Sequence, residues 1–285
     1  MPTGQETRIN KAESAFNARI NQAARLYRAV LDNPQLTITR ISNAATYRYD
    51  LSAAVLENIL AEIDRAVDRI MEVDGRAEDL WFTKAYMAPA YANGTAVAFA
   101  NLAAQSPTYA TLRTDLATLL SSDAYRNRLG KLAAREFENM KGFTGELKAE
   151  LSRALVDGMA IGRGPREVAK MISEATDVEY RRAKRIARTE LNNAFRQARM
   201  DEAEQTSADL GFRVMMLHLS ALSPTTRASH AARHAKLYSV TDVRIWYTQD
   251  ANSINCKCSQ VETLVDASGA PLVPGTIERA KQWRK

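Results

Sequence analysis

Two histidines four residues apart and two cysteines two residues apart share one short stretch: His230 and His234 in SHAARHAKLY (229–238), Cys256 and Cys258 in NCKC (255–258). The 285-residue chain has three histidines and two cysteines, and all five fall between His218 and Cys258. On a helix, His230 and His234 lie on one face, where both imidazoles can reach one ion. In a turn or strand, Cys256 and Cys258 can aim both thiolates the same way. The four together make a tetrahedral set for one structural zinc ion, although the usual spacing is CxxC rather than CxC. A closed set of that kind organises a fold and leaves no position for water. The alternative is a group of polar helix and turn residues that binds no metal. A metal-dependent nuclease or hydrolase at the same cluster finds less support. There is no HExxH, and His230 is flanked by serine and alanine. The nearby carboxylates, Asp242 and Asp250, read as turn residues.

A second group is RRAKRIARTELNNAFRQAR (181–199), with seven basic side chains and one acid, Glu190. Arg181, Lys184, Arg185 and Arg188 recur at three- and four-residue spacing and form one helical stripe; Arg182, Arg196 and Arg199 add to the charge. Such a stripe can neutralise phosphates without reading sequence. The competing reading is a solvated helix face. Arg188 and Glu190 can also tie this helix to whatever follows it. GMAIGRGP lacks the lysine and threonine of a phosphate-binding loop, and no serine-nucleophile elbow occurs.

The elements that must position these residues are mostly helices. Apolar residues at helical spacing run through 5–32 and 51–73, with Pro34 and Asp74-Gly75 as stops. Residues 85–105 are rich in alanine and include Gly94, small side chains that permit close helix–helix approach. Helical pattern continues through 109–120 and 122–140, and KGFTGE (141–146) reads as a boundary. A helical hairpin opened by Pro165 follows, then a long helix that Thr176-Asp177 could cap. After Ala208 the texture changes. FRVMMLHLSA (212–221), RIWYTQ (244–249) and SQVETLVD (259–266) read as strands, and residues 225–238 as a short helix. The expected fold is mainly α: an extended helical body followed by a small C-terminal α+β module. The expected divisions are 1–145, 146–208, 209–266, and a linker with a basic tail at 267–285.

Composition narrows the classes. Residues 51–100 carry four basic and eight acidic side chains, whereas 151–200 carry eleven basic and six acidic, within a net charge of +6. That asymmetry points to a polyanion partner. No apolar run approaches the roughly 20 residues that span a bilayer, and the first 20 residues lack the apolar core of a secretory signal. Two cysteines make no disulfide framework, so a reducing compartment is expected.

In order, LVDGMAIGRGPREVAKMI, RAKRIARTELNNAFRQAR, a strand, TTRASHAARHAKLY and NCKC resemble the Mu F-like, phage minor head (head-morphogenesis) family over residues 146–266. The family positions matched are Arg188, Thr189, Glu190, Arg227, His230, Asn255, Cys256 and Cys258. The chain departs from the pattern at Pro224, where aspartate is common, at Ala235, where glycine is common, and at Lys257, where arginine is frequent. The resemblance implies a minor capsid component of a tailed double-stranded DNA phage, structural rather than catalytic. It would be assembled into the prohead in the host cytoplasm and would reside in the virion head. The implied partners are the portal protein, the major capsid or scaffolding protein, and packaged double-stranded DNA contacted non-specifically, with no membrane. A non-specific DNA-binding protein without phage context is the remaining alternative.

Overall fold

The computed structural model describes residues 4–41, 46–113 and 115–282. In chain order it contains α1 (Gln5–Ala29), β1 (Thr37–Arg40), β2 (Tyr47–Asp50), α2 (Ala53–Met71), α3 (Ala88–Gln105), α4 (Pro107–Leu112), α5 (Leu116–Ser121) and α6 (Asp123–Ala160). It continues with α7 (Pro165–Leu210), β3 (Val214–Leu219), α8 (Ala228–Ala231), β4 (Lys236–Tyr238), α9 (Val240–Thr248), β5 (Ser259–Leu264) and α10 (Thr276–Gln282). The chain is therefore mainly α with a small C-terminal α+β region. No helix among the described residues is long and apolar enough to cross a membrane.

Packing divides the chain differently from the sequential boundaries expected at 145 and 208. One compact unit comprises residues 10–83 and 133–185; the other comprises 1–9, 84–132 and 186–285. KGFTGE is no boundary, because α6 runs through it without a break. A Cβ at Gly142 or Gly145 would meet nothing within 4 Å, while Phe143 and Leu147 between and beside them are buried. Tertiary burial thus outweighs the roughly 1 kcal/mol by which each glycine disfavours a helix. Likewise α7 passes Thr176-Asp177 uninterrupted.

In the unit of residues 10–83 and 133–185, Phe16 sits at the centre of an aromatic cluster. Its ring centroid lies 4.9 Å from Trp81, 5.3 Å from Phe82 and 5.7 Å from Phe143. Ser52 caps α2 by accepting the Val55 N–H, and Ile63, Val67 and Met71 form its buried stripe. The helix stops at Glu72, which takes a left-handed cap (φ 56°) two residues before the expected Asp74-Gly75. The α6–α7 hairpin is present as expected: Pro165 opens α7, and the Glu167 carboxylate accepts the Gly164 N–H at 3.0 Å. The short antiparallel pair β1–β2 had no clear signal in the sequence.

The other unit holds the three-stranded antiparallel sheet, in order β4–β3–β5. One face buries Val214 and Met216 with Met200 and Ala203 of α7 and Val240 and Val243 of α9. On the other face Leu217 packs with Ala235 and with Ala280 of α10. The small residues of α3 serve the close approach expected of them. A Cβ at Gly94 would lie 2.5 Å from the Phe195 carbonyl oxygen and 2.8 Å from the Ala198 Cβ. One expectation fails here. RIWYTQ is the helical α9 rather than a strand, because Ser239 caps it by accepting the Asp242 N–H at 3.0 Å. That cap outweighs the strand preference of Ile245, Trp246 and Tyr247. The basic tail is helical at α10, which buries Ala280 against the sheet, and the segment before it is held where the Leu272 N–H donates to the Leu264 carbonyl. Trp283, Arg284 and Lys285 lie outside the described residues.

Candidate metal centre

Three elements bring three of the four expected ligands together. Arg227 precedes the single turn of α8 and fixes it by donating to the carbonyls of Ala251, Asn252 and Ile254 at 2.9–3.2 Å. His230 thereby meets the 255–258 turn. Its Nδ1 lies 3.5 Å from the Sγ of Cys256 and 3.5 Å from the Sγ of Cys258. The three side chains are buried, and their ligand atoms lie within 4.8 Å of one another. Zinc bonds of roughly 2.0–2.3 Å in tetrahedral directions separate such donors by roughly 3.6 Å, so the spacing fits one ion.

His234 does not join them. The helix ends at Ala231, so the shared helical face expected for the two histidines does not form. Instead His234 Nδ1 accepts the Ser220 N–H at 3.2 Å, and Nε2 meets the Ala280 carbonyl of α10 at 2.9 Å. Both ring nitrogens are engaged, one tying β3 and the other α10. A closed four-ligand set is therefore absent among the described residues, and three donors remain.

The donors are chemically prepared for a cation. The Cys256 thiol is shifted well down despite burial by the adjacent Cys258 side chain, the Arg196 guanidinium and the Cys258 N–H, which donates to its Sγ at 3.4 Å. Cys258 is shifted up because it faces the Cys256 thiolate and is itself buried. The pair loses its first proton readily and its second with difficulty until a dication is present. Burial lowers the His230 pKa, against the opposing pull of Cys256, which favours the neutral imidazole that a metal requires. His230 also stacks edge-on to Trp246, with centroids 4.6 Å apart.

The motif on α7 reaches the same place. Thr189 Oγ1 accepts the Asn255 N–H at 2.9 Å, and Asn192 Nδ2 donates to the Cys256 carbonyl at 3.0 Å. Asn255 takes a left-handed conformation (φ 52°), which asparagine tolerates better than most residues. Arg188 donates to the Glu6 carboxylate at 3.0 and 3.3 Å. Glu190 stays half-buried on the same helix. The tie to the α+β region expected of Arg188 and Glu190 is seen instead at Thr189 between them, while Arg188 pairs with Glu6 of α1.

The basic stripe divides. Arg196 and Arg199 are only 3% exposed and do not form a surface with the others. Arg199 donates to the buried Glu262 carboxylate, with Nε to Oε1 at 2.6 Å. Arg196 stacks 4.2 Å over the Tyr247 ring, next to the thiols. The cause is that residues 191–206 of α7 are packed nearly all round, so continuing the spacing past Arg188 turns the side chains inward. Arg182 pairs with Glu146 and Glu179, and Lys184 lies 3.7 Å from Glu13. Arg181, Lys184 and Arg185 are the exposed members.

Sequence reasoning missed Asn192, Tyr247, Gln260 and the role of His218. Gln260 Nε2 donates to His218 Nδ1 at 2.7 Å and to the Tyr247 hydroxyl at 3.2 Å, and that hydroxyl lies 3.9 Å from Cys256 Sγ. Alternation along β3 and β5 could have placed His218 and Gln260 on the inward face, but only the strand register makes them partners.

A pocket of about 360 Å³ opens over His230, Cys256 and Cys258. Its wall adds Arg188, Arg227 and Lys257, with the hydroxyls of Ser223, Thr225 and Thr226.

Comparison with known proteins gives a family match over part of the chain. Residues 149–261 match the family model described as Phage Mu protein F like protein, a span that contains α7, β3, β4, the first half of β5 and the three candidate ligands. One curated relative, the NAD(+)--arginine ADP-ribosyltransferase EFV of Enterococcus faecalis (strain ATCC 700802 / V583), is 23% identical over 129 residues. That alignment takes in 42% of this chain and only 26% of the relative. No solved structure gives a significant match.

Proposed function

We propose, for a chain whose residues 149–261 are Mu F-like, that the protein is a minor head component of a tailed double-stranded DNA phage. It is built into the prohead at the portal, and its task is assembly rather than catalysis. The observation that carries this reading is that the family match coincides with one physical assembly. Thr189 and Asn192 on α7, Arg227 before α8 and the Asn255–Cys258 turn are joined by direct hydrogen bonds. What the family motif specifies is a locked fold element.

A zinc ion held by His230, Cys256 and Cys258 fastens this element. Bound metal would supply cross-linking of α8 to the 255–258 turn, which the chain otherwise joins only through hydrogen bonds and packing. Arg181, Lys184 and Arg185 supply the non-specific contact to packaged DNA. Replacing these three with glutamine should flatten the dependence of DNA affinity on salt; for each phosphate no longer neutralised, the logarithmic slope becomes shallower by about 0.9. An unchanged slope would make that surface a protein contact. Assembly at the portal predicts that the chain co-purifies with portal complexes, and recovery only as free protein argues against it.

The relative from Enterococcus faecalis bears an ADP-ribosyltransferase name, but the matched part is about a quarter of that protein. A metal-dependent hydrolase is the second reading. It is favoured by one observation, the three-donor set facing an open pocket. It predicts metal-stimulated DNA cleavage that His230→Ala abolishes.

A further inference from the structure

With His234 committed to Ser220 and Ala280, the donor group supplies three ligands to an ion that prefers four. The fourth must come from outside the group, and the pocket bordering the same three side chains decides what it is. None of the lining residues carries a carboxylate. The Arg227 guanidinium is held by three neutral backbone carbonyls, so its charge is oriented but not cancelled. Lys257 is exposed between the two cysteines and makes no ion pair among the described residues. Arg188, whose charge Glu6 shares, stands on the wall as well. Ser223, Thr225 and Thr226 add hydroxyl donors from one tight turn, in which the Ser223 N–H donates to Thr226 Oγ1.

A dication with one neutral imidazole and two thiolates has no net charge. The cations on the wall then leave the pocket positive, and a neutral or cationic occupant gains nothing from them. An anion with several acceptor oxygens can use the ion, the guanidinium, the ammonium and the hydroxyls together.

We propose that the pocket beside His230, Cys256 and Cys258 binds a phosphate group, one oxygen of which completes the coordination of the metal. The proposal rests on the metal reading above and gives it a ligand. The phosphate belongs either to a free nucleotide or to a polynucleotide backbone, and the two sources share the chemistry that the pocket recognises. The volume of about 360 Å³ admits a phosphate with part of its sugar.

The test uses the full chain loaded with cobalt(II), which reports thiolate ligation by a charge-transfer band and coordination geometry by its visible ligand-field bands. The expected result is a thiolate band that needs His230, Cys256 and Cys258, with ligand-field bands that shift on adding inorganic phosphate and much less on adding acetate. Lys257→Gln should keep the thiolate band and weaken phosphate binding by about tenfold. A mononucleotide and a short DNA duplex are then compared. A response to the duplex assigns the site to a polynucleotide backbone, and a response to the mononucleotide alone assigns it to a free ester; both support the proposal. A thiolate band whose companion bands ignore phosphate overturns the proposal and leaves the metal reading standing. Equal responses to acetate and phosphate also overturn it. Absence of the thiolate band overturns both.

Discussion

Arg199 of α7 and Glu262 of β5 form a fully buried ion pair, the carboxylate 0% and the arginine 3% exposed. Asn101 of α3 donates to the same carboxylate at 3.1 Å and to the Glu262 carbonyl at 2.7 Å. The charge sits at the junction of two helices and the sheet, with its lone pairs satisfied. Removing one partner strands the other charge in a dry site. Arg199→Ala should therefore destabilise the protein by about 3–5 kcal/mol in urea unfolding. The Arg199→Met/Glu262→Leu double variant should recover much of that loss. Equal, additive losses would mean the two residues act separately.

Metal content separates the two histidines of SHAARHAKLY. His230→Ala, Cys256→Ser and Cys258→Ser should each abolish stoichiometric zinc, whereas His234→Ala should retain it. The His234 variant should instead loosen α10, seen as faster amide exchange across residues 276–282. Loss of zinc in His234→Ala would restore the four-ligand arrangement that the spacing suggested.

Much of this was legible in the sequence, and the limits have physical causes. The strands β3 and β5, the hairpin opened by Pro165 and the convergence of His230 with Cys256 and Cys258 follow from local pattern and motif order. His234 was misplaced because spacing gives a shared face only if the helix continues, and α8 ends after one turn. Arg196 and Arg199 were misread because charge suggests a surface, whereas their counter-charges come from residues some sixty positions away in sequence. Neither Glu262 nor the thiols announce themselves as partners of α7. Tertiary partners that distant leave no local signature.

His218 carries a pH dependence. It is completely buried, and burial pushes its pKa down to about 3, with the Arg233 and His230 charges adding to the effect. The unfolded chain takes up that proton near pH 6.5 while the native state resists it. The stability from neutral His218 is full above about pH 6.5, declines as pH falls, and is exhausted near pH 3. Between those limits the slope should approach about 1.4 kcal/mol per pH unit. Urea unfolding of metal-free protein should show a shallower acid limb in His218→Gln than in the parent. Parallel limbs would contradict the assignment.

Ala235 stands where the resemblance leads to an expectation of glycine, and its own backbone conformation is one that favours glycine. Its φ is 57°, in the left-handed region, while its N–H is held by the His218 carbonyl at 2.8 Å. A Cβ in that conformation costs roughly 1–2 kcal/mol, and the extra freedom of glycine in the unfolded chain offsets roughly half of it. Ala235→Gly should stabilise the protein by about 0.5–1 kcal/mol. Destabilisation would show that the alanine methyl, packed with Leu217 and Ala280, contributes more than the strain removes.

The proposal that this chain belongs to the assembling head is tested most directly by quantifying it in DNA-free proheads. Proheads from a packaging-defective infection would be purified by density and measured by mass spectrometry against the major capsid protein. The account predicts a low, fixed copy number per particle, retained after high-salt washing and before any DNA has entered. A chain absent from proheads, or present only once DNA is packaged, would contradict it.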